Sequence, residues 1–195
     1  PIPPTATNTP IPPTPGGDIF FDDFETDQGW LVNPNGTDNA TTGQWERADP
    51  ETTTHSGGTY QLGTTVSGSF DLVTEGAAGN NVGSNDIDGG TTSIRSPAIS
   101  LPADGNLTLS FSYYLAHLNN SSSSDFLRVS IVGNTTAVVF EELGSRSTDE
   151  AIWDSFSVDV SSFAGQTVYI LIEAADAGCC NLVEADVDYV RISND

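Results

Sequence analysis

The sequence predicts an all-β fold, an antiparallel two-sheet jelly-roll sandwich with an extended Pro-rich N-terminal tail. Three observations carry that expectation. Short runs of β-branched and aromatic residues, separated by Gly, Asn, Asp and Ser, recur from Asp18 to the C-terminus. In the second half Leu107, Leu109, Phe111, Tyr113 and Leu115 alternate with Thr108, Ser110, Ser112 and Tyr114, the period of a strand with one buried face. No segment shows the apolar spacing of a helix over the ~11 residues that such a pattern needs.

Taken in order, residues 1–17 form a Pro/Thr-rich stretch that reads as a polyproline II spacer or linker. Chains of this kind join modules of secreted proteins, and the expected packing of Pro3, Pro4, Ile11, Pro12 and Pro13 is against a neighbouring subunit. Residues 18–195 make the sandwich. Ile19 to Phe24 reads as the first strand, followed by a turn and by Trp30-Leu31-Val32. Residues 33–59 are polar and Gly-rich, a loop with Trp45 as core anchor. Tyr60 to Leu62, Phe70 to Val73 and Thr91 to Ile99 are short strands, and the long strand 107–115 follows. The two-residue period returns in Leu127/Val129/Ile131, Val138/Phe140, Phe156/Val158/Val160 and Val168/Ile170/Ile172, and the last strand runs from about Leu182 to Ile192.

Composition narrows the partners. The 195 residues carry 27 acidic and 5 basic side chains, for a formal charge of −22, and the basic residues are all arginine. Such a surface repels nucleic acid and anionic lipid and favours divalent cations or a basic partner. No apolar run reaches the ~18–20 residues that span a bilayer, so no membrane insertion is expected. The chain begins at Pro1 without methionine or signal peptide, as expected for a mature fragment of a larger exported, extracellular or cell-surface protein. Sequons at Asn35, Asn39, Asn106, Asn119, Asn120 and Asn134, with the tail threonines, are positions for glycosylation in a host that performs it. Cys179 and Cys180 are adjacent and have no third partner. A vicinal disulfide, a link between chains and two thiols are the open states, the first being the choice for an oxidising compartment.

Phe24-Glu25, Gly29-Trp30, Trp45, Ser96-Pro97, Leu109-Ser110-Phe111-Ser112-Tyr113, Leu127-Arg128-Val129, Trp153 and the ending Val187-Asp188-Tyr189-Val190-Arg191-Ile192 together resemble the MAM family. They are still more similar to the C-terminal sandwich modules of secreted bacterial zinc carboxypeptidases and subtilisin-like peptidases. The resemblance covers residues 18–193 and implies a jelly roll whose first and last strands lie close together, with a non-catalytic role in adhesion, assembly or substrate targeting. Animal MAM domains carry several spaced cysteines, which this chain lacks, and it has Asp188-Tyr189 where the family often ends in Asp-Asp.

The chemistry centres on Asp86-Ile87-Asp88-Gly89-Gly90, where two carboxylates precede a flexible turn and suit Ca²⁺. An EF-hand is excluded: with Gly89 at the sixth loop position, Arg95 falls where a bidentate Glu is required. With the chain ends together, Asp86 and Asp88 are expected to join Asp23, Glu25 and Asp188 in one structural Ca²⁺ site. The alternative is that these groups accept backbone hydrogen bonds in turns. His55 and His117 have no zinc spacing, and no Ser/His/Asp set is marked, so no enzyme is expected. Of the aromatic residues, Trp30, Trp45, Tyr60, Tyr113, Tyr114 and Trp153 could stack on sugars, but most aromatics at strand spacing are core. Tyr114, opposite in parity to Phe111 and Tyr113, is the best candidate for an exposed glycan contact. The leading expectation is a module that assembles with copies of itself or another surface protein through its tail, a fibre subunit being one such form. The alternative is a carbohydrate- or substrate-binding module of a secreted hydrolase.

Overall fold

Two antiparallel sheets, each hydrophobic on one face, close over a shared core. The computed structural model describes residues 17–79, 81–178 and 181–194, so the expected tail contacts and the Cys179/Cys180 pair lie outside the described residues. The strands are β1 (Asp18–Asp22), β2 (Leu31–Val32), β3 (Trp45–Ala48), β4 (Thr53–His55), β5 (Gly58–Gln61), β6 (Asp71–Thr74) and β7 (Gly90–Arg95). They continue with β8 (Ile99–Ser100), β9 (Leu107–His117), β10 (Phe126–Val132), β11 (Thr136–Leu143), β12 (Asp154–Asp159), β13 (Thr167–Asp176) and β14 (Val183–Asn194). The first sheet has the order β12-β9-β14-β6-β3, with β1 also on β14; the second has the order β11-β10-β13-β7-β2, with β8 on β13. A β4–β5 hairpin stands apart.

The alternation read from the sequence is the alternation of the core. Leu107, Leu109, Phe111 and Leu115 of β9 face Leu127, Val129 and Ile131 of β10 and Val168, Ile170 and Ile172 of β13 in one buried cluster, with Trp45 among them. Strand β14 shows why simple alternation is not enough. Val183, Ala185 and Val187 point into the core, and so do Val190 and Ile192, which have the opposite parity. A bulge between Asp188 and Arg191, with Tyr189 at a φ of 57°, supplies the extra residue that resets the parity. The bulge also separates the β6 partners at Asp186 and Val187 from the β1 partners that begin at Val190. First and last strands therefore pair directly, with Phe20 opposite Ile192 and Asp22 opposite Val190.

Residues 18–24 depart from a continuous strand. Pairing ends at Asp22, and Phe24 enters the core through a left-handed turn with φ 58°. The buried Asp22 carboxylate fixes this turn by accepting the Phe24 amide at 2.9 Å and the Trp30 indole N–H at 2.8 Å. The polar stretch 33–59 contains β3, β4 and the start of β5. The hairpin and following loop belong to a second apolar cluster on the outer face of the first sheet, formed by Tyr60, Tyr114, Ala116, Ala151 and Leu182. This cover corrects the expectation for Tyr114, whose side chain is buried rather than open to solvent. Strand parity placed Tyr114 on the outer face, but parity carries no information about what later folds over that face.

Candidate functional site

A cleft opens where β12 stops pairing with β9. The last ladder pair is Asp154 opposite Tyr113, and the next link along the same edge is an isolated bridge between Asp149 and His117. Between them the chain leaves β9, and the Ala151 amide donates to the Thr59 carbonyl of β5 at 2.8 Å. The gap left beside β9 has a volume of about 390 Å³ and is lined by Tyr113, Tyr114, Leu115, Glu142, Asp149, Glu150, Ile152, Trp153 and Asp154.

The aromatic wall is held in place from behind. Trp153 donates its indole N–H to the Thr64 carbonyl at 3.0 Å and meets Tyr114 edge to face, with ring centroids 5.0 Å apart. Tyr113 packs on Phe140 at 4.5 Å. Burial, then the nearby Glu142 and Asp154 carboxylates, push the Tyr113 phenol up to about 12, so it remains a neutral hydroxyl hydrogen-bonded to Glu142. Burial, then the charge of Asp149, raises the Glu142 carboxyl above its ordinary value. Among the described residues, no lysine or arginine lines the cleft. Its chemistry is that of apolar ring faces beside carboxylate acceptors, which suits a neutral, hydroxyl-rich ligand and disfavours an anion.

The five carboxylates anticipated as one Ca²⁺ site are distributed differently. Asp188 accepts the Val66 and Ser67 amides, each at 2.9 Å, and the Tyr189 amide at 2.6 Å; Asp23 lies close enough to repel it. Glu25 accepts the Ser69 and Phe70 amides at 2.7 and 2.8 Å. Asp23 accepts the Glu25 amide. Asp86 has Asp88 and Asp176 as its charged neighbours; burial, then Asp88, pushes its carboxyl up to about 7. Asp23 and Asp188 thus come together near the chain ends, while Asp86 and Asp88 come together at the central loop. Among the described residues, no three His, Cys, Asp or Glu side chains are placed to hold a metal ion. Several of these acids do accept backbone amides in turns.

A second surface is the outer face of the second sheet. Across it run the rows Glu141–Arg128–Glu173–Ser93 and Val138–Ser130–Leu171–Arg95–Leu31. Arg128 bridges Glu141 at 2.7 Å and lies 4.0 Å above the Phe126 ring; Arg95 lies 4.4 Å above Tyr169. Leu31, Val138 and Leu143 are exposed on the same face. Two of the five arginines and three exposed large apolar side chains therefore share one face of a strongly acidic chain.

Of the six aromatic residues that the sequence offered for sugar stacking, with Tyr114 foremost, the structure brings Tyr113, Tyr114 and Trp153 together at the cleft, and Tyr114 is buried there. Glu142 and Asp149 carried no such signal, because they reach the cleft from β11 and from the bridge at His117, remote in sequence from Tyr113.

No protein-family model matches the chain, and no curated protein matches it in sequence. Several solved structures resemble it in fold. The K1 cleaved adhesin domain of Lys-gingipain from Porphyromonas gingivalis W83 superposes with a TM-score of 0.55 at 18% identity, covering 90% of this chain and 98% of that one. TmCBM61, solved with β-1,4-galactotriose, gives 0.51 at 10% identity, covering 86% and 89%. The C-terminal family 22 carbohydrate-binding module of Clostridium thermocellum Xyn10B gives 0.51 at 13% identity, covering 94% and 96%. At these identities the likeness is one of fold: the chain shares the two-sheet β-sandwich of adhesin and carbohydrate-binding modules.

Proposed function

We propose that this chain is a non-catalytic extracellular recognition module that binds a neutral glycan in the cleft between β9, β11 and residues 149–153. The observation that carries the reading is the convergence of Tyr113 and Trp153 with Glu142 in one cleft of about 390 Å³. A sugar ring offers an apolar C–H face to an aromatic wall and hydroxyl groups to carboxylate acceptors. The fold likeness to a module solved with β-1,4-galactotriose supports the reading. Among the described residues, no helix is long and apolar enough to cross a membrane.

Affinity electrophoresis and calorimetry against neutral oligosaccharides, β-1,4-galactotriose among them, test this directly. Trp153→Ala removes one aromatic wall, and a loss of about 2 kcal/mol, or roughly 30-fold in Kd, is expected. Anionic polysaccharides are expected not to bind. Failure of every neutral glycan to bind, or unchanged affinity in the Trp153→Ala protein, sinks the proposal.

A second reading is adhesion to another surface protein or a second copy of this chain through the outer face of the second sheet. The exposed Leu31, Val138 and Leu143 beside Arg95 and Arg128 favour it. Replacing Val138 and Leu143 by serine is expected to abolish such adhesion while sparing glycan binding. The assembly role read from the Pro-rich tail, with its fibre-subunit form, rests on residues outside those described.

A further inference from the structure

On the outer face of the first sheet, beneath the cover made by the β4–β5 hairpin and its following loop, two carboxylates lack compensation. Asp71 of β6 is fully buried, and its oxygens face no hydrogen-bond donor beyond its own backbone amide and, when a proton is present, the Asp186 carboxyl. Asp186 of β14 is also fully buried; its Oδ2 accepts the Tyr114 hydroxyl, while Oδ1 has none. The strands are neighbours, with Asp186 opposite Val73, and the two carboxyl groups lie within hydrogen-bonding reach of each other.

Among the described residues, no basic group acts on either carboxyl group. Arg47 donates to the Phe24 carbonyl and covers Phe70, Arg95 covers Tyr169, Arg128 bridges Glu141 and Arg191 bridges Asp18. The charged neighbours of Asp71 are Asp186, Asp188 and Asp49, all acidic. Ionising both carboxyl groups in such a place requires a compensating cation.

We infer that Asp71 and Asp186 form a divalent-cation site, with Ca²⁺ as the matching ion and Tyr114 as the positioning residue that orients Asp186. Two carboxylates balance a doubly charged ion, and the available donors are hard oxygens. Asp188 is not one of the two carboxylate ligands, since its oxygens already serve the Val66, Ser67 and Tyr189 amides. The remaining coordination falls to oxygen donors other than carboxylates, which Ca²⁺ accepts in a six- to eight-coordinate shell. The site is distinct from the Asp86/Asp88 loop; it shares Tyr114 with the cleft beside β9 but does not depend on a glycan binding there. A bound ion would tie the β6–β14 pair to its cover and stabilise the folded state by mass action.

The experiment uses the full chain, purified without chelator and then stripped with EDTA. Metal analysis of the unstripped protein is expected to find bound Ca²⁺. Adding Ca²⁺ to the stripped protein is expected to raise Tm, and Tb³⁺ is expected to give luminescence sensitised by Tyr114 and displaced by Ca²⁺. Asp71→Asn and Asp186→Asn are expected to abolish both responses, while Asp23→Asn and Asp86→Asn retain them. The Asp71→Asn/Asp186→Asn double variant, an isosteric amide pair, serves if a single variant does not fold. Absence of any Ca²⁺ or Tb³⁺ response in wild type, with Asp71→Asn melting at or above wild type, means that the pair shares a proton and overturns the inference. A response kept in Asp71→Asn but lost in Asp23→Asn or Asp86→Asn places the ion elsewhere and overturns it equally.

Discussion

Replacing Asp22 by alanine tests the view that one buried carboxylate sets the left-handed turn leading into the core. Its two oxygens accept the Phe24 amide at 2.9 Å and the Trp30 indole N–H at 2.8 Å. A buried donor left without an acceptor costs about 1–3 kcal/mol. Phe24 is fully buried, so its amide falls at the upper end of that range; Trp30 is half-buried, and water can reach its indole, which puts it at the lower end. The sum is about 2–4 kcal/mol, or roughly 5–15 °C in Tm for a domain of this size. Part is returned because burial holds the Asp22 carboxyl above its ordinary value, so its ionised form is itself disfavoured. Asp22→Asn keeps one acceptor oxygen and removes the charge, so a smaller loss of about 1 kcal/mol is expected. Urea denaturation at neutral pH measures both. An Asp22→Ala loss below about 0.5 kcal/mol, within the range of ordinary surface substitutions, would refute the reasoning.

Other perturbations probe different links. Gly43 has φ 67°, and a Cβ there would lie 2.6 Å from the Ile87 backbone, so Gly43→Ala is expected to lower stability by at least about 1 kcal/mol in the same urea assay. The EDTA-stripped protein is expected to become less stable as pH rises. Burial, as the largest cause, raises the Asp176 carboxyl to about 6 and that of Asp188 to about 7 in the folded state. Their stabilising contribution is therefore complete below the unfolded value of 3.8 and is lost as pH rises through 6 and 7. Thermal melts at constant ionic strength from pH 4 to pH 8 should show a falling Tm, and a rising one would contradict the placement of these groups.

The sequence by itself determined the class of fold. Period-two runs such as Leu107 to Leu115 and Val168 to Ile172 can bury one face only as strands, and that information is local. It also reached Trp45 as a core anchor and the proximity of the chain ends, the latter through its likeness to known modules. What only the tertiary structure decided depends on residues far apart in the chain. The bulge at Tyr189 resets the parity of β14, which sends Glu184, Asp186 and Asp188 to the outer face and still returns Val190 and Ile192 to the core. The Thr59–Ala151 bond draws residues 150–153 off β9 and makes the cleft, and the cover over the first sheet buries Tyr114. Strand alternation assigns each side chain to one of two faces, but whether a face meets water, a second sheet or a covering loop is set by contacts between elements that no local pattern encodes.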